Sequence, residues 1–379
     1  MRDPSALGWF NPAMTARILV LPGDGIGPEV MGSALDVLNT VATVEDLQLD
    51  ITEDVLHGAA WEEYGTFCRP ETIARARQSN AILVGAVGGP EWNHITIDGC
   101  PAEQDGLMNL RTELDVFAGL RPAKAWDSLI SRTPYRARCV RGADLMVMRE
   151  MCGGSFFTTH RGIEELPDGG QRGFDLNEYT SREIERFARA SFEVARHRKG
   201  KVISVDKSNV LLAGVLWREV VGRIASEEFP DIELHHYFAD NAVYQLSRNP
   251  TAFDVIMGDN LFGDLISDQA AVIAGSLGML PSACLPGIPE PGEALGPGIY
   301  EPVHGSAPDI NGQGIANPIG MILSVGMMLE YNLGNKRAAR KIDAAVTLSL
   351  KSGALTPDLG GSATNKDVTN SVIRHYRSL

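Results

Sequence analysis

"RILVLPGDGIGPEV", residues 17–30, decides between two kinds of α/β protein. "RILVLPG" (17–23) reads as a buried strand. "PEVMGSALDVLNTVA" (28–42) reads as the helix that follows, with Pro28 near its start, where a missing N–H costs nothing. A strand, a glycine turn and a helix invite a Rossmann reading, but the spacing refuses it. Gly23, Gly25 and Gly27 make G-x-G-x-G, whereas the dinucleotide fingerprint is G-x-G-x-x-G. Asp24 inside the turn would also repel a pyrophosphate. The motif is therefore either a tight turn that needs glycine dihedrals or part of a nicotinamide site of another construction.

Outward from this stretch, short apolar runs alternate with helical patterns, the α/β signature. "AILVGAVGG" (81–89), "ADLMVMRE" (143–150), "KVISVDKSNV" (201–210) and "FDVIMGDN" (253–260) read as strands. "YTSREIERFARASFEVARHR" reads as an amphipathic helix opened by a Thr180/Glu183 capping box. Residues 285–318, rich in Pro and Gly, read as one long irregular stretch, and a loop of that length in a compact protein is functional more often than idle. No internal repeat or low-complexity tract interrupts the pattern.

The chain has 379 residues, 44% of them hydrophobic and 22% charged, enough for two domains sharing a large core. A formal net charge of −14 without a long basic run argues against nucleic acid or an anionic membrane as partner. An anionic substrate must then be caught by a local arginine cluster. Five scattered cysteines without a C-x-x-C pair suit a reducing compartment. No apolar stretch is long enough for a membrane span, and residues 1–14 read as a frayed extension without the features of a secretory signal. The cytoplasm is the expected location.

In "FGDLISDQA" (262–270), Asp264 and Asp268 are four apart, which on a helix puts both carboxylates on one face about 5–6 Å apart. The flanking Leu261, Phe262, Leu265 and Ile266 read as buried. Buried carboxylates need a partner, and hard oxygens suit Mg²⁺ or Mn²⁺. Asp240 in "FADNAVYQL" offers a third acid for that site. Arg111, Arg121 and Arg149 near glycine-bounded strand ends can grip a dicarboxylate through bidentate pairs. Lys207 ends an apolar segment, either as a base with a lowered pKa or as a lysine ion-paired with Asp206.

With these residues in place, the chain resembles the metal-dependent β-decarboxylating dehydrogenases, and within them the branch acting on 3-isopropylmalate. The resemblance runs from about residue 17 to the C-terminus. It rests on "LPGDGIGPEV", "VGAVGGPEW", "LRTELDVFAGLRP", "MREMCGG", "VDKSNVL", "GDNLFGDLISDQAAVIAGSLGMLPSA" and "YEPVHGSAPDINGQGIANPIGMILSVGMMLEY". It implies the family's two-domain α/β fold, not a Rossmann fold. One domain would be discontinuous (1–116 plus 275–379) and bind NAD; the inserted one (117–274) would carry dimerisation and substrate contacts. It implies a homodimer with shared active sites acting on a small hydroxy-dicarboxylate. Arg111, Arg121 and Arg149 would hold the malate carboxylates, and Leu107 and Met108 would meet the alkyl group. Lys207, as general base, and Asp240, as third metal ligand beside Asp264 and Asp268, would reach in from the partner chain. The 304–317 loop (His304, Gly305, Ser306, Ala307, Asp309, Ile310, Asn317) would hold the dinucleotide, its adenine near His304 and Asn317. A carboxylate at Asp309 accepts from a ribose 2′-hydroxyl and repels a 2′-phosphate, so NAD is favoured over NADP.

The chain departs from the family in two places. The family continues R-E-x-x-G-G-x-Y-F-G, and its tyrosine is the general acid that protonates the enolate carbon. Here the run is "REMCGGSFFTTHRG", with Phe156 at the tyrosine position and Thr158 in place of the following glycine. His160 is a candidate substitute donor and otherwise a surface-loop histidine; Cys152 reads as a buried structural thiol. Upstream, the family acid before the two leucines is replaced by Gln104, between Glu103 and Asp105, and Leu107 argues against isocitrate. Three readings remain open: oxidative decarboxylation of 3-isopropylmalate; a relative using another 2-alkylmalate or D-malate-like acid, with a slowed decarboxylation or protonation step; and a non-catalytic paralog subunit.

Overall fold

The structure is a computed structural model that describes residues 15–97, 99–101, 105–289 and 295–379. The expected extension at 1–14 and the readings of Glu103 and Gln104 lie outside the described residues.

Fourteen strands are seen among the described residues: β1 (Ala16–Gly23), β2 (Leu49–Glu53), β3 (Ala81–Ala86), β4 (Thr96–Ile97), β5 (Cys100–Pro101), β6 (Ala118–Lys124), β7 (Asp144–Glu150), β8 (Arg161–Glu165), β9 (Gln171–Asp175), β10 (Lys201–Asp206), β11 (Glu233–Phe238), β12 (Val255–Gly258), β13 (Pro281–Leu285) and β14 (Gly298–Pro302). Ten of them form one sheet in the order β11-β10-β12-β7-β6-β13-β14-β3-β1-β2. β11, β10, β12 and β7 are mutually parallel, and so are β14, β3, β1 and β2. Between these blocks, β6 and β13 pair antiparallel to their neighbours and to each other. This order and mixed direction are not those of a Rossmann sheet.

β1 shows why the parallel blocks read as unbroken apolar runs. Ile18 and Val20 enter one buried cluster and Leu19 and Leu21 another, on opposite faces. The helices Gly27–Glu45, Ile319–Tyr331, Lys336–Lys351 and Asn365–Ser378 pack in succession beside the β14-β3-β1 block. The helices Ser181–Arg196 and Leu212–Glu228 pack together beside β10, and the former opens with the expected Thr180/Glu183 capping box.

Several boundaries differ from the sequence reading, the strand read at 81–89 among them, which ends at Ala86. The 285–318 stretch is not wholly irregular, because Gly298–Pro302 is a fully buried strand joined to β13 and β3. Proline and glycine at its edges masked a five-residue run too short to show a period. β10 stops at Asp206, so Lys207 lies just beyond the strand, and the strand read at 253–260 is confined to 255–258.

Register fixes what the centre of the sheet presents. Gly119 stands opposite both Arg149 and Cys284, and Ser282 opposite Glu301. With side chains alternating along each strand, Arg121, Arg149, Cys284 and Glu301 share one face. Pro122, Lys124 and Asp144 lie on the other.

Candidate active site

On the first of these faces lies a cavity of ≈ 210 Å³ whose lining includes Arg111, Arg121, Arg149, Leu107, Met108, Phe156 and His304. The structure thus brings together the three arginines and both apolar residues expected at a substrate site. Each guanidinium is buried and held by a group that the sequence reading did not single out. Arg111, in the helix Leu107–Glu113, forms an ion pair with Glu301 on β14. Burial alone would lower its pKa, and the Glu301 charge more than offsets this. Arg121 donates from Nη1 to Ser267 Oγ at 2.7 Å and to Asp264 Oδ1 at 3.1 Å. Arg149 donates from Nε and Nη2 to Asn260 Oδ1 at 2.9 and 2.8 Å, and from Nη1 to Asp264. Burial, and then the Arg121 charge, push the Arg149 pKa down to about 9. A site this short of negative charge is built to take an anion.

Asn260 and Asp264 are aimed by the helix Asn260–Ala274, whose first turn is capped by Asp259 accepting from the Phe262 N–H at 2.8 Å. The Asn260 side chain also donates to the Gly153 carbonyl at 3.0 Å, tying the helix to the segment after β7. The sequence signal for Glu301 and Asn260 was present in "YEPVHG" and "GDNLFGD", where a carboxylate and an amide border apolar runs.

The helix corrects one expectation. Leu261 and Leu265 are exposed, not buried, and so is Asp268; the buried side is Gly263, Ile266, Ser267 and Ala270. Apolar content without regard to helical face had suggested an all-round buried segment. Asp268 has no hydrogen bond or ion pair among the described residues, and partial desolvation together with Asp264 raises its pKa. Hard carboxylate oxygens one turn apart, with Asp268 unpaired and Asp264 shared by the two arginines, fit a divalent cation. Among the described residues, however, no three His, Cys, Asp or Glu side chains of this single chain come together as a metal site. Asp240 pairs instead with Lys207, which lowers the Asp240 pKa, and neither lines the arginine cavity. Asp206 is not the partner of Lys207: its carboxylate accepts from Arg218 Nε at 2.9 Å.

Phe156 sits in a short turn, Gly154–Phe156, with the Arg149 guanidinium 5.7 Å from its ring centroid. Its ring therefore borders the cavity and brings no acidic proton. His160 is exposed, packed against Phe174 and outside the cavity lining. Cys152 is half-buried and burial raises its pKa, which leaves it a poor nucleophile.

The glycine turn proves to be a buttress. Asp24 is buried and faces inward, accepting from the N–H groups of Gly58, Ala59 and Gly88 at 3.2, 2.8 and 2.9 Å, with His57 Nδ1 at 3.0 Å. Gly25 has φ +54, and a Cβ there would lie 2.1 Å from the Ser306 carbonyl oxygen, which accepts from the Ile26 N–H at 2.8 Å. Glu29 holds the other end of the same loop through the Ala316 N–H at 3.0 Å. Between these anchors Ala307 is left at φ 38, strained for a residue with a Cβ. Gly305 and Asp309 are exposed and Ile310 half-buried. His304 Nδ1 lies 2.9 Å from the Gly305 carbonyl and must donate to it, leaving Nε2 as a buried acceptor with no hydrogen bond among the described residues. The Asn317 amide is spent internally, on Asp358 at 3.0 Å and the Ile319 N–H at 3.1 Å. Contact between Asn317 and a ligand falls to its backbone.

The family model for isocitrate/isopropylmalate dehydrogenase matches residues 17–373. The chain belongs to this family. Among its isopropylmalate dehydrogenase relatives, the 3-isopropylmalate dehydrogenase of Gluconobacter oxydans (strain 621H) is 47% identical over 90% of this chain and 92% of its own length. That of Caulobacter vibrioides is 47% identical over 94% and 99%. Among solved structures, the isocitrate dehydrogenase of Methylococcus capsulatus superposes with a TM-score of 0.82 at 29% identity, covering 96% of this chain and 99% of that one. A β-decarboxylating dehydrogenase of Thermococcus kodakarensis gives 0.75 at 33% identity, covering 96% of each. The family's mixed α/β fold around a large central sheet is the one described above.

Proposed function

We propose that this chain carries out the NAD-dependent oxidative decarboxylation of 3-isopropylmalate to 4-methyl-2-oxopentanoate, with Mg²⁺ or Mn²⁺. The observation that carries the reading is the cavity itself: three buried guanidiniums for a dicarboxylate beside Leu107 and Met108 for an alkyl group. Relatives named 3-isopropylmalate dehydrogenase at 47% identity support the same substrate. Asp264 and Asp268, with Asp240 from a second copy, would hold the metal. The free acceptor His304 Nε2 and the 304–317 loop would take the dinucleotide, with Asp309 selecting NAD. When bound, the dinucleotide supplies the hydride acceptor and the cation supplies Lewis acidity at the substrate oxygens.

The chain's own residues do the rest. Arg111, Arg121 and Arg149 would fix the carboxylates by bidentate pairing. Lys207 of a second copy would take the hydroxyl proton. Loss of CO₂ leaves a carbon that must be protonated, and Phe156 offers no proton, so water takes over that step, with His160, outside the cavity lining, able to act only through it. A homodimer with shared sites follows. It is supported by large apolar side chains exposed on the elements next to Lys207, Asp240 and Asp264, namely Val210, Leu212 (85% exposed), Val215, Tyr244, Leu261 and Leu265. On this reading 1–116 with 275–379 is the dinucleotide domain, 117–274 the inserted one, and the boundary passes between β13 and β6. Among the described residues no helix is long and apolar enough to cross a membrane, and the described cysteines are all free, which supports work in the reducing cytoplasm.

The test uses purified protein with Mg²⁺, NAD⁺ and 3-isopropylmalate, following NADH and CO₂ together. Matched release is expected of the proposed reaction. NADH ahead of CO₂ favours the second reading, of oxidation outrunning decarboxylation, whereas matched but slow release of both places the defect at the reprotonation that Phe156 cannot serve. Neither product, with a panel of 2-alkylmalates and D-malate as well, would sink the enzymatic reading in favour of a non-catalytic subunit.

A further inference from the structure

The opposite face of the same central strands carries a second cavity, of ≈ 330 Å³. Pro122 and Lys124 of β6 form one side, on the face away from Arg121, and the helices 319–331 and 336–351 form the other. Its floor is apolar, from Met279, Leu323, Met327 and the Trp126 ring. An apolar concavity of this size with a few convergent polar groups has the make-up of a small-molecule site.

The charges at its rim narrow the choice of ligand. Lys124 is spent: its ammonium sits 4.0 Å from the Trp126 ring centroid and pairs with Asp343. Asp144 is spent on Arg198 Nη2 at 2.9 Å. Glu330 and Arg340 remain, and neither has a hydrogen bond or ion pair among the described residues. Glu330 is half-buried, and burial raises its pKa by more than the charges of Lys336, Arg340 and His197 lower it, so none of these cations fully compensates its desolvation. Arg340 is exposed on the neighbouring helix. An unspent anion and an unspent cation over an apolar floor complement a ligand with both charges and an apolar tail.

We infer that this cavity binds a free α-amino acid with an apolar side chain, its ammonium on Glu330, its carboxylate on Arg340 and its side chain against Met279, Leu323, Met327 and Trp126. A fatty acid would leave Glu330 desolvated and unpaired, and an alkylamine would leave Arg340 unused. A metal ion would find only one free carboxylate. The site shares no residue with the arginine cavity, so it stands whether or not the proposed reaction is correct.

Isothermal titration calorimetry of the full chain tests the inference with L-leucine, L-methionine and L-phenylalanine as probes. The controls are 4-methylpentanoate and 3-methylbutylamine, which are leucine without its ammonium and without its carboxylate. Saturable binding of at least one amino acid is expected, with both controls weaker by about tenfold or more, the usual loss on removing one charge-assisted contact. Glu330→Gln and Arg340→Gln should each weaken the amino acid to a similar degree, and Leu323→Trp should fill the cavity and abolish binding. Circular dichroism and the melting temperature establish that each variant is folded. No saturable heat from any of the three amino acids overturns the inference. So does binding that survives Glu330→Gln and Arg340→Gln undiminished, since the ligand would then sit elsewhere, the arginine cavity included.

Discussion

Replacing Asp264 by asparagine keeps the shape of the side chain and removes the one carboxylate that Arg121 and Arg149 share. Both guanidiniums are 7% exposed, and Asp264 is 36% exposed. At an effective dielectric of about 20, one such contact is worth about 4 kcal/mol before solvent is considered. The exposed side of Asp264 admits water, so about half of that survives screening. The unmasked repulsion between the two arginines, already visible in the lowered Arg149 pKa, adds to the loss. A net destabilisation of about 2–3 kcal/mol follows, short of the ~3–5 kcal/mol for breaking a fully buried pair. Urea unfolding in EDTA at fixed protomer concentration measures it without a metal contribution. Malonate, a dicarboxylate, should restore more stability to Asp264→Asn than it adds to the parent, because it returns negative charge to the same guanidiniums. A loss under about 0.5 kcal/mol, or equal stabilisation of both proteins by malonate, would refute the charge-balance argument.

Three further outcomes are expected. Phe156→Tyr should speed CO₂-coupled turnover by up to about 10²-fold, the lower end of a general acid's contribution, and an unchanged rate would show that protonation at this position does not limit. Gly25→Ala forces a Cβ against Ser306 at positive φ; a loss of at least ~2 kcal/mol and a raised KM for NAD⁺ are expected, while an unaltered KM would dissociate the glycine turn from the dinucleotide loop. Glu150 is buried, and desolvation raises its pKa to about 7 despite hydrogen bonds from the Cys152 and Gly153 N–H groups. The folded state therefore binds its proton more tightly than the unfolded chain, so this contribution to stability is full below about pH 4 and lost as pH rises through about 7. Stability profiles of Glu150→Gln and the parent should diverge across that window, and parallel profiles would remove Glu150 as the source.

The strands at 17, 81 and 143 and the helices at 28 and 181 were legible because each carries its own apolar run or helical period. The G-x-G-x-G spacing argued against the Rossmann fingerprint, the family resemblance implied another α/β fold, and the arginines and acids that gather on one face could be named one by one. What each of them pairs with could not. Arg111 meets Glu301 across 190 residues, Arg121 and Arg149 converge on Asp264 through the β6–β7 register, and Lys207 takes Asp240 in place of its neighbour Asp206. Asp24, read as an obstacle to a phosphate, turns inward to three backbone N–H groups. Leu261 and Leu265 had the composition of core residues and lie on an exposed helical face. Local periodicity records how a segment can fold, because that follows from side-chain spacing along one element. Charge balance, pKa and the back-face cavity arise where elements distant in the chain are brought within a few ångströms, and only the tertiary structure decides those neighbours.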